Sequence, residues 1–238
     1  MDDRQFWLPA LLIALGITSA GFFMSQTLYN SRVGINTAEV KGLAERRVKS
    51  DRAYWIIGYV VTGQADASTT ELYERSTADR NKLVDLLKRS GFDDAEIGLG
   101  IVDYQRREYR NEDQALVDTK QILSGSVEIE TDQVDLVAEA RSRLNELISA
   151  GVDIRNNPPA YHFTGLNEIK PQMVKEATTN ARAAATEFAE NAGVQVGGIR
   201  TARQGGFVIR DVGERYGDTA KIDKEVRVVT TIDFYLVD

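Results

Sequence analysis

Residues 53–61 read AYWIIGYVV, nine positions without a charge and with a single glycine. Odd and even positions are equally apolar, so the pattern predicts a central strand covered on both faces. Upstream, Val40 to Val48 reads as a second strand. Downstream, Ser68-Thr69-Thr70-Glu71 has the spacing of a capping box, in which a hydroxyl and a carboxylate each satisfy an exposed N–H of a helix start. The helix it opens carries Leu72, Leu83, Leu86 and Leu87 and stops at Ser90-Gly91. Ile97 to Tyr109 and Gln121 to Glu130 then read as a strand pair. In the second of these, Val127 and Ile129 alternate with Glu128 and Glu130, which predicts one wet face.

A second helix is expected from Thr131 or Asp132 to Ala150-Gly151, with Val134, Val137, Ala138, Leu144 and Ile148 on its inner face. Val152 to Phe163 is extended but interrupted by Pro158-Pro159, which excludes an unbroken central strand. Pro171 suits the first turn of a third helix ending at Ala192-Gly193. Its inner stripe would be Val174, Ala177, Ala181, Ala184, Ala185, Phe188, Ala189 and Ala192, small enough to lie close to a sheet. Val194 to Ile209 and Glu225 to Val237 form the last strand pair, with Gln204 to Lys224 as a long loop between them. Val226, Val228, Thr230, Ile232, Phe234 and Leu236 alternate, and only a strand presents such a series on one face. Each helix ends in a glycine followed by Phe92, Val152 or Val194, as a left-handed C-cap requires. The order ββα, ββα, βα, ββ predicts an α+β fold of antiparallel or mixed sheets covered by three helices.

Ahead of this body, residues 6–29 read FWLPALLIALGITSAGFFMSQTLY, 24 residues without a charge, 16 of them apolar. As a helix rising ~1.5 Å per residue the stretch would be about 36 Å long, against a hydrocarbon core of ~30 Å. Phe6, Trp7 and Tyr29 sit at its ends, at the level of lipid headgroups. The start Met-Asp-Asp-Arg lacks the basic region of a cleaved signal, and Phe22-Phe23-Met24 extends the apolar run past Thr18-Ser19-Ala20. The expectation is therefore an uncleaved transmembrane signal anchor at 6–29, with a tail at 1–5, a tether at 30–36 and a domain at 37–238. Arg4 on one side and Arg32 and Lys41 on the other are too even to set its orientation. Gly16 and Ala20 form a small-xxx-small pair, ordinary in a membrane helix.

The whole chain of 238 residues has 29 Lys+Arg, 36 Asp+Glu, one His and no Cys. A net charge of −7 argues against nucleic acid as the main partner. Without Cys there are no disulfides, thiolate zinc sites, Fe–S clusters or cysteine nucleophiles. No GxSxG, GxGxxG, P-loop or HExxH spacing occurs. Gly98-Leu99-Gly100 lacks a third glycine and reads as a packing or bulge feature. His162 reads as a strand histidine, and Asp93, Asp94 and Glu96 as a solvated turn. Arg106, Arg107 and Arg110 form a basic patch beside Tyr104 and Tyr109, open to two readings: a headgroup or partner contact, or an edge strand guarded by charge. No catalytic, cofactor-binding or metal-binding residue is singled out. Two functional classes follow: a module acting through self-association or partner binding, and a hydrolase using paired carboxylates or a weakly bound metal.

Several segments resemble the SIMPL-domain family, also called DUF541. The opening hairpin VKGLAERRVKSDRAYWIIGYVVTG at 40–63, the step KLVDLLKRSGF at 82–92, ELISAGVDI at 146–154, the Ala-rich run at 177–185 and AENAGVQVGGI at 189–199 follow that family's order over about residues 37–238. Ser50 stands where the family often has Pro, and Gln121-Ile122-Leu123 where it commonly has Tyr. The resemblance implies a bacterial envelope protein, single-pass in the inner membrane, with its C-terminal domain in the periplasm or outside the cell. It also implies large ring- or channel-like oligomers for some members and a link of others to oxidative-stress tolerance. It carries over no catalytic residue and no cofactor. The partners it leaves are the bilayer through residues 6–29, further copies of the chain and other envelope proteins.

Overall fold

The computed structural model describes residues 7–32 and 36–237. The expected tail at 1–5, Phe6 and residues 33–35 of the expected tether lie outside them. The first element is helix α1 (Trp7–Arg32), so Asn30 to Arg32, expected in the tether, continue the helix. The remaining order is β1 (Thr37–Lys49), β2 (Arg52–Gln64), α2 (Thr69–Arg89), β3 (Ile97–Leu99), β4 (Asp103–Arg110), β5 (Leu116–Thr131), α3 (Val134–Ser149), β6 (Asp153–Asn156), β7 (Ala160–His162), α4 (Leu166–Asn191), β8 (Gln195–Gln204), β9 (Val208–Asp211) and β10 (Asp223–Val237). The fold is α+β, with an apolar N-terminal helix ahead of antiparallel sheets, as the sequence predicts.

The chain divides into two compact units, one of residues 45–170 and 208–226, the other of 1–44, 171–207 and 227–238. In the first, β5 and β2 pair antiparallel from Ala53 opposite Thr131 to Gln64 opposite Lys120. The outer edge of β2 carries β6 and β7 in turn, separated by Pro158-Pro159, whose missing N–H groups cannot serve a ladder. The far edge of β5 carries β3 and then β4. These were expected as one strand over 97–109. Instead, Leu99 faces Val127 and Asp103 faces Ser124, four residues against three, so the chain inserts one residue and leaves the ladder between them. Gly100 sits in that break, and a Cβ there would meet the Ser126 Cβ and carbonyl oxygen at 3.2 Å.

Helices α2 and α3 cover one face of this sheet. Leu83, Leu86 and Leu87 of α2 and Val134, Val137, Ala140, Leu144 and Leu147 of α3 pack with Ala53, Trp55, Ile57, Tyr59, Val127 and Ile129 in one core cluster. Each fully buried Leu or Ile contributes about 2 kcal/mol. Two expectations are corrected here. The inner face of α3 takes Ala140 and Leu147 in place of Ala138 and Ile148, because the stripe follows the i, i+3, i+6, i+10 and i+13 positions from Val134. β2 lies inside the sheet, but its second face is covered only in part: Tyr54 is 43% and Ile56 49% exposed, while Val60 is buried.

The other sheet has the order β1-β10-β8, with β9 also pairing with β10. The loop expected over 204–224 therefore holds a strand. Val226, Val228, Thr230, Ile232 and Phe234 are buried in strict alternation, as expected of β10. Helix α4 begins at Leu166, five residues ahead of Pro171, which stands inside it. Its buried stripe is Met173, Ala177, Ala181, Ala185 and Ala189, whereas Ala184, Phe188 and Ala192 face outward. The small stripe meets β1 at Gly42, where an added Cβ would stand 1.8 Å from the Ala177 carbonyl oxygen and 2.5 Å from the Ala181 nitrogen.

All three glycine stops are left-handed, with φ of 107° at Gly91, 86° at Gly151 and 75° at Gly193. After each, the next residue's N–H reaches back into the last turn: Phe92 to the Leu87 oxygen, Val152 to Leu147 and Val194 to Ala189. Each glycine also donates three residues back, which completes the Schellman pattern. The start of α2 is plainer than expected, because the Ser68 side chain makes no capping bond.

Candidate functional site

The sequence singled out three groups of polar residues, and the structure gives most of them structural work. His162 is half-buried on β7, its ring edge-on to Tyr54 at 5.5 Å and its carbonyl oxygen accepting the Asp51 N–H at 3.0 Å. The acidic turn is internally committed. Glu96 Oε2 accepts the Asp93 N–H at 2.9 Å, Glu96 Oε1 accepts the Thr131 hydroxyl at 2.6 Å, and Asp94 pairs with Lys88. Among the described residues no group of three or more His, Asp or Glu is arranged to hold a metal ion.

Three carboxylates do line one depression of about 420 Å³, those of Asp132, Asp135 and Glu139. All three are exposed, and Asp135 is ion-paired with Lys49 at 2.5 Å. A larger depression between α2 and α3, about 720 Å³, is lined by Lys82, Lys88 and Arg89 beside Asp85 and Glu146. Neither isolates two carboxylates from water, the condition that splits their pKa values for acid–base work. The hydrolase alternative finds no support in this geometry.

One buried charged pair escaped the sequence reading. Lys224 is 0% and Asp211 2% exposed, and Lys224 Nζ donates to Asp211 Oδ1 at 2.5 Å and to the Asp218 carbonyl oxygen at 2.7 Å. Asp211 Oδ2 accepts the Ala220 N–H at 2.8 Å, and the Asp211 N–H donates to the Gly217 oxygen at 3.0 Å. Burial pushes the Asp211 carboxyl up, but the Lys224 ammonium and the N–H groups of Ala220 and Lys221 outweigh it and hold the group below its ordinary range. With every charge partnered, the pair ties residues 211–224 into a closed loop. Lys224 lies two residues before Val226 in the buried alternation of β10, so strand parity was the signal that could have found it.

Gln121 is likewise buried and fully used. Its Nε2 donates to the carbonyl oxygens of Gln64, Ala65 and Ala67, and its Oε1 accepts from the Tyr104 and Thr69 hydroxyls. It fastens the turn between β2 and α2 and steadies Tyr104 at the sheet edge.

Two features are left with no partner among the described residues. Strand β4 is exposed at all eight positions and pairs only with β5, so its outer edge is free. Of its arginines, Arg110 pairs with Glu108 at 2.8 Å, while Arg106 and Arg107 make no hydrogen bond or ion pair to a described residue. The other feature is α1. Its segment Leu11–Tyr29 is long and apolar enough to cross a membrane, and none of it is buried.

Together these describe an α+β body behind one apolar N-terminal helix, with no assembled catalytic centre among the described residues. The chain belongs to the SIMPL family, a protein family of unknown function (DUF541), whose model matches residues 38–231. No curated protein matches the chain. Among solved structures it is similar to a Burkholderia cenocepacia protein provisionally assigned as an amidohydrolase/peptidase, at 14% identity over 56% of this chain and 31% of that one, with a TM-score of 0.24. A hydantoinase/carbamoylase family amidase from Burkholderia multivorans gives 13% identity over 56% and 31%, with a TM-score of 0.22. The corresponding amidase from Burkholderia ambifaria gives 15% over 54% and 34%, also at 0.22. The chain spans about a third of the length of these structures. At such scores the likeness carries no argument about fold or activity.

Proposed function

We propose that this chain is a non-enzymatic, membrane-anchored protein of the bacterial cell envelope whose exported domain works through contacts with further copies or other envelope proteins. The observation that carries the proposal is α1: its 19-residue segment Leu11–Tyr29 is long and apolar enough to cross a membrane, and none of it is buried. Leaving so much apolar surface in water costs about 25 cal/mol per Å², and a bilayer removes that cost. The free edge of β4 supports the second half of the reading, because a sheet edge with unmade hydrogen bonds is a template for another strand. Family membership is consistent with it and adds no enzymatic activity.

The test uses the full chain. It should stay with membranes through alkaline carbonate extraction, and a reporter active only outside the cytoplasm should be active when fused after Asp238. In detergent its protein mass should exceed that of one chain. Release by carbonate would overturn the anchor, an inactive C-terminal reporter would overturn the exported domain, and a monomer at every concentration would overturn self-association.

A further inference from the structure

We infer that β4 is an interface between two copies of this chain, pairing antiparallel with itself about a two-fold axis at Arg107. This rests on the self-association proposed above and assigns it a surface.

The geometry limits the registers. A two-fold axis perpendicular to a sheet keeps each residue on its own face, so opposed residues must be an even number apart. With the axis at Arg107, Arg106 opposes the second copy's Glu108, and Glu108 opposes the second copy's Arg106. On the same face Tyr104 opposes the second copy's Arg110, a cation over an aromatic ring. Gln105 opposes the second copy's Tyr109 on the other face. The unfavourable contact is Arg107 against its own copy, and there each guanidinium lies diagonal to the second copy's Tyr109, within reach of its ring.

Moving the axis to Arg106 sets Arg106 against itself and removes both ion pairs. Moving it to Glu108 sets Arg106 against Arg110, and axes at Gln105 or Tyr109, which also oppose acid to base (Asp103 to Arg107, Glu108 to Arg110), pair only five or three residues of β4 instead of seven. Charge on an edge strand ordinarily blocks pairing. Here Glu108, which pairs with Arg110 within the chain, also comes opposite the second copy's Arg106, and Arg106, which has no partner among the described residues, gains one.

A membrane surface fits this hairpin less well. Its turn carries Glu112 and Asp113, with Asp118 just beyond. Anionic lipid would repel these acids beside the arginines.

Because the chain has no cysteine, single-cysteine variants report directly. Opposed residues in an antiparallel pair have Cα atoms about 4.5–5.5 Å apart, within disulfide reach. Full-length Arg107→Cys in detergent, mildly oxidised, should form a linked dimer about ten-fold faster than Glu112→Cys at the hairpin turn, since only the former thiols are held together. Gln105→Cys and Tyr109→Cys should cross-link when mixed and not when alone. Arg106→Glu should cut cross-linking of Arg107→Cys, and adding Glu108→Arg should restore it.

If Arg107→Cys links no faster than Glu112→Cys while the wild-type chain is oligomeric, the β4 interface is wrong and self-association stands. If the wild type is monomeric throughout, both fall. Failure of the Arg106→Glu, Glu108→Arg pair to restore linking overturns the register.

Discussion

Lys224 and Asp211 form the one ion pair with both partners buried among the described residues, and such a pair is far costlier to break than it is worth intact. Lys224→Met leaves the Asp211 carboxylate buried with only N–H partners. It should lower unfolding stability by about 3–5 kcal/mol in urea titrations at neutral pH. Replacing both partners, Lys224→Met with Asp211→Leu, should recover most of that loss, because no charge is then left in the interior. The pH dependence has a defined sign. The Asp211 carboxyl is held below its unfolded value of ~3.9, so its stabilisation is complete above that pH and is lost as pH falls through the folded value. Asp211→Asn should therefore flatten the decline in stability below about pH 4, and an unchanged acid limb would exclude this pair as its source. The pair was hard to see in the sequence because charge counts as a surface signal. Lys224 sits in the buried phase of β10, and only the carboxylate 13 residues earlier makes that placement tolerable.

At the scale of elements, the closest approach in the second unit is between α4 and β1. Gly42→Ala would drive its Cβ into the backbone of Ala177 and Ala181, atoms that move only if the helix moves. The substitution should cost about 3 kcal/mol or more in thermal or chemical unfolding. Ala181→Gly in the same background should recover part of that cost by removing the Cβ that stands 2.8 Å from the new methyl group. A neutral Gly42→Ala would mean that α4 does not sit on β1 this closely. The sequence announced the helix stops well, because glycine with positive φ followed by an apolar residue is a local signal at Gly91, Gly151 and Gly193. It announced the start of α4 poorly. Pro171 resembles a first-turn proline, yet Leu166 to Lys170 are helical, which leaves the Asn167 carbonyl without its usual N–H donor. The break between β3 and β4 was hidden for a different reason. One inserted residue shifts register against β5, and nothing in residues 97–109 alone records the partner. The same non-locality explains β2: its composition suits two covered faces, but how much of each face is covered depends on where α2 and α3 land.

For the whole molecule, the separation between α1 and the folded body sets how association should respond to concentration. An edge-to-edge contact of one strand holds two freely diffusing chains together only at high protein concentration, as in a concentrated detergent solution. Chains confined to one bilayer meet at an effective concentration set by their surface density, so the same contact suffices there. Association should then track the protein-to-lipid ratio and not the bulk protein concentration. Full-length chains labelled with donor and acceptor dyes at Glu112→Cys, reconstituted into vesicles, should show energy transfer that falls steadily as lipid is added at constant total protein. Arg106→Glu should shift that curve toward higher surface density, and Arg106→Glu with Glu108→Arg should bring it back. Transfer at the level of random encounters at the highest density would remove self-association as this chain's mode of action. Transfer insensitive to dilution in lipid would instead point to a contact far stronger than one exposed edge strand can supply, with buried apolar surface at its centre.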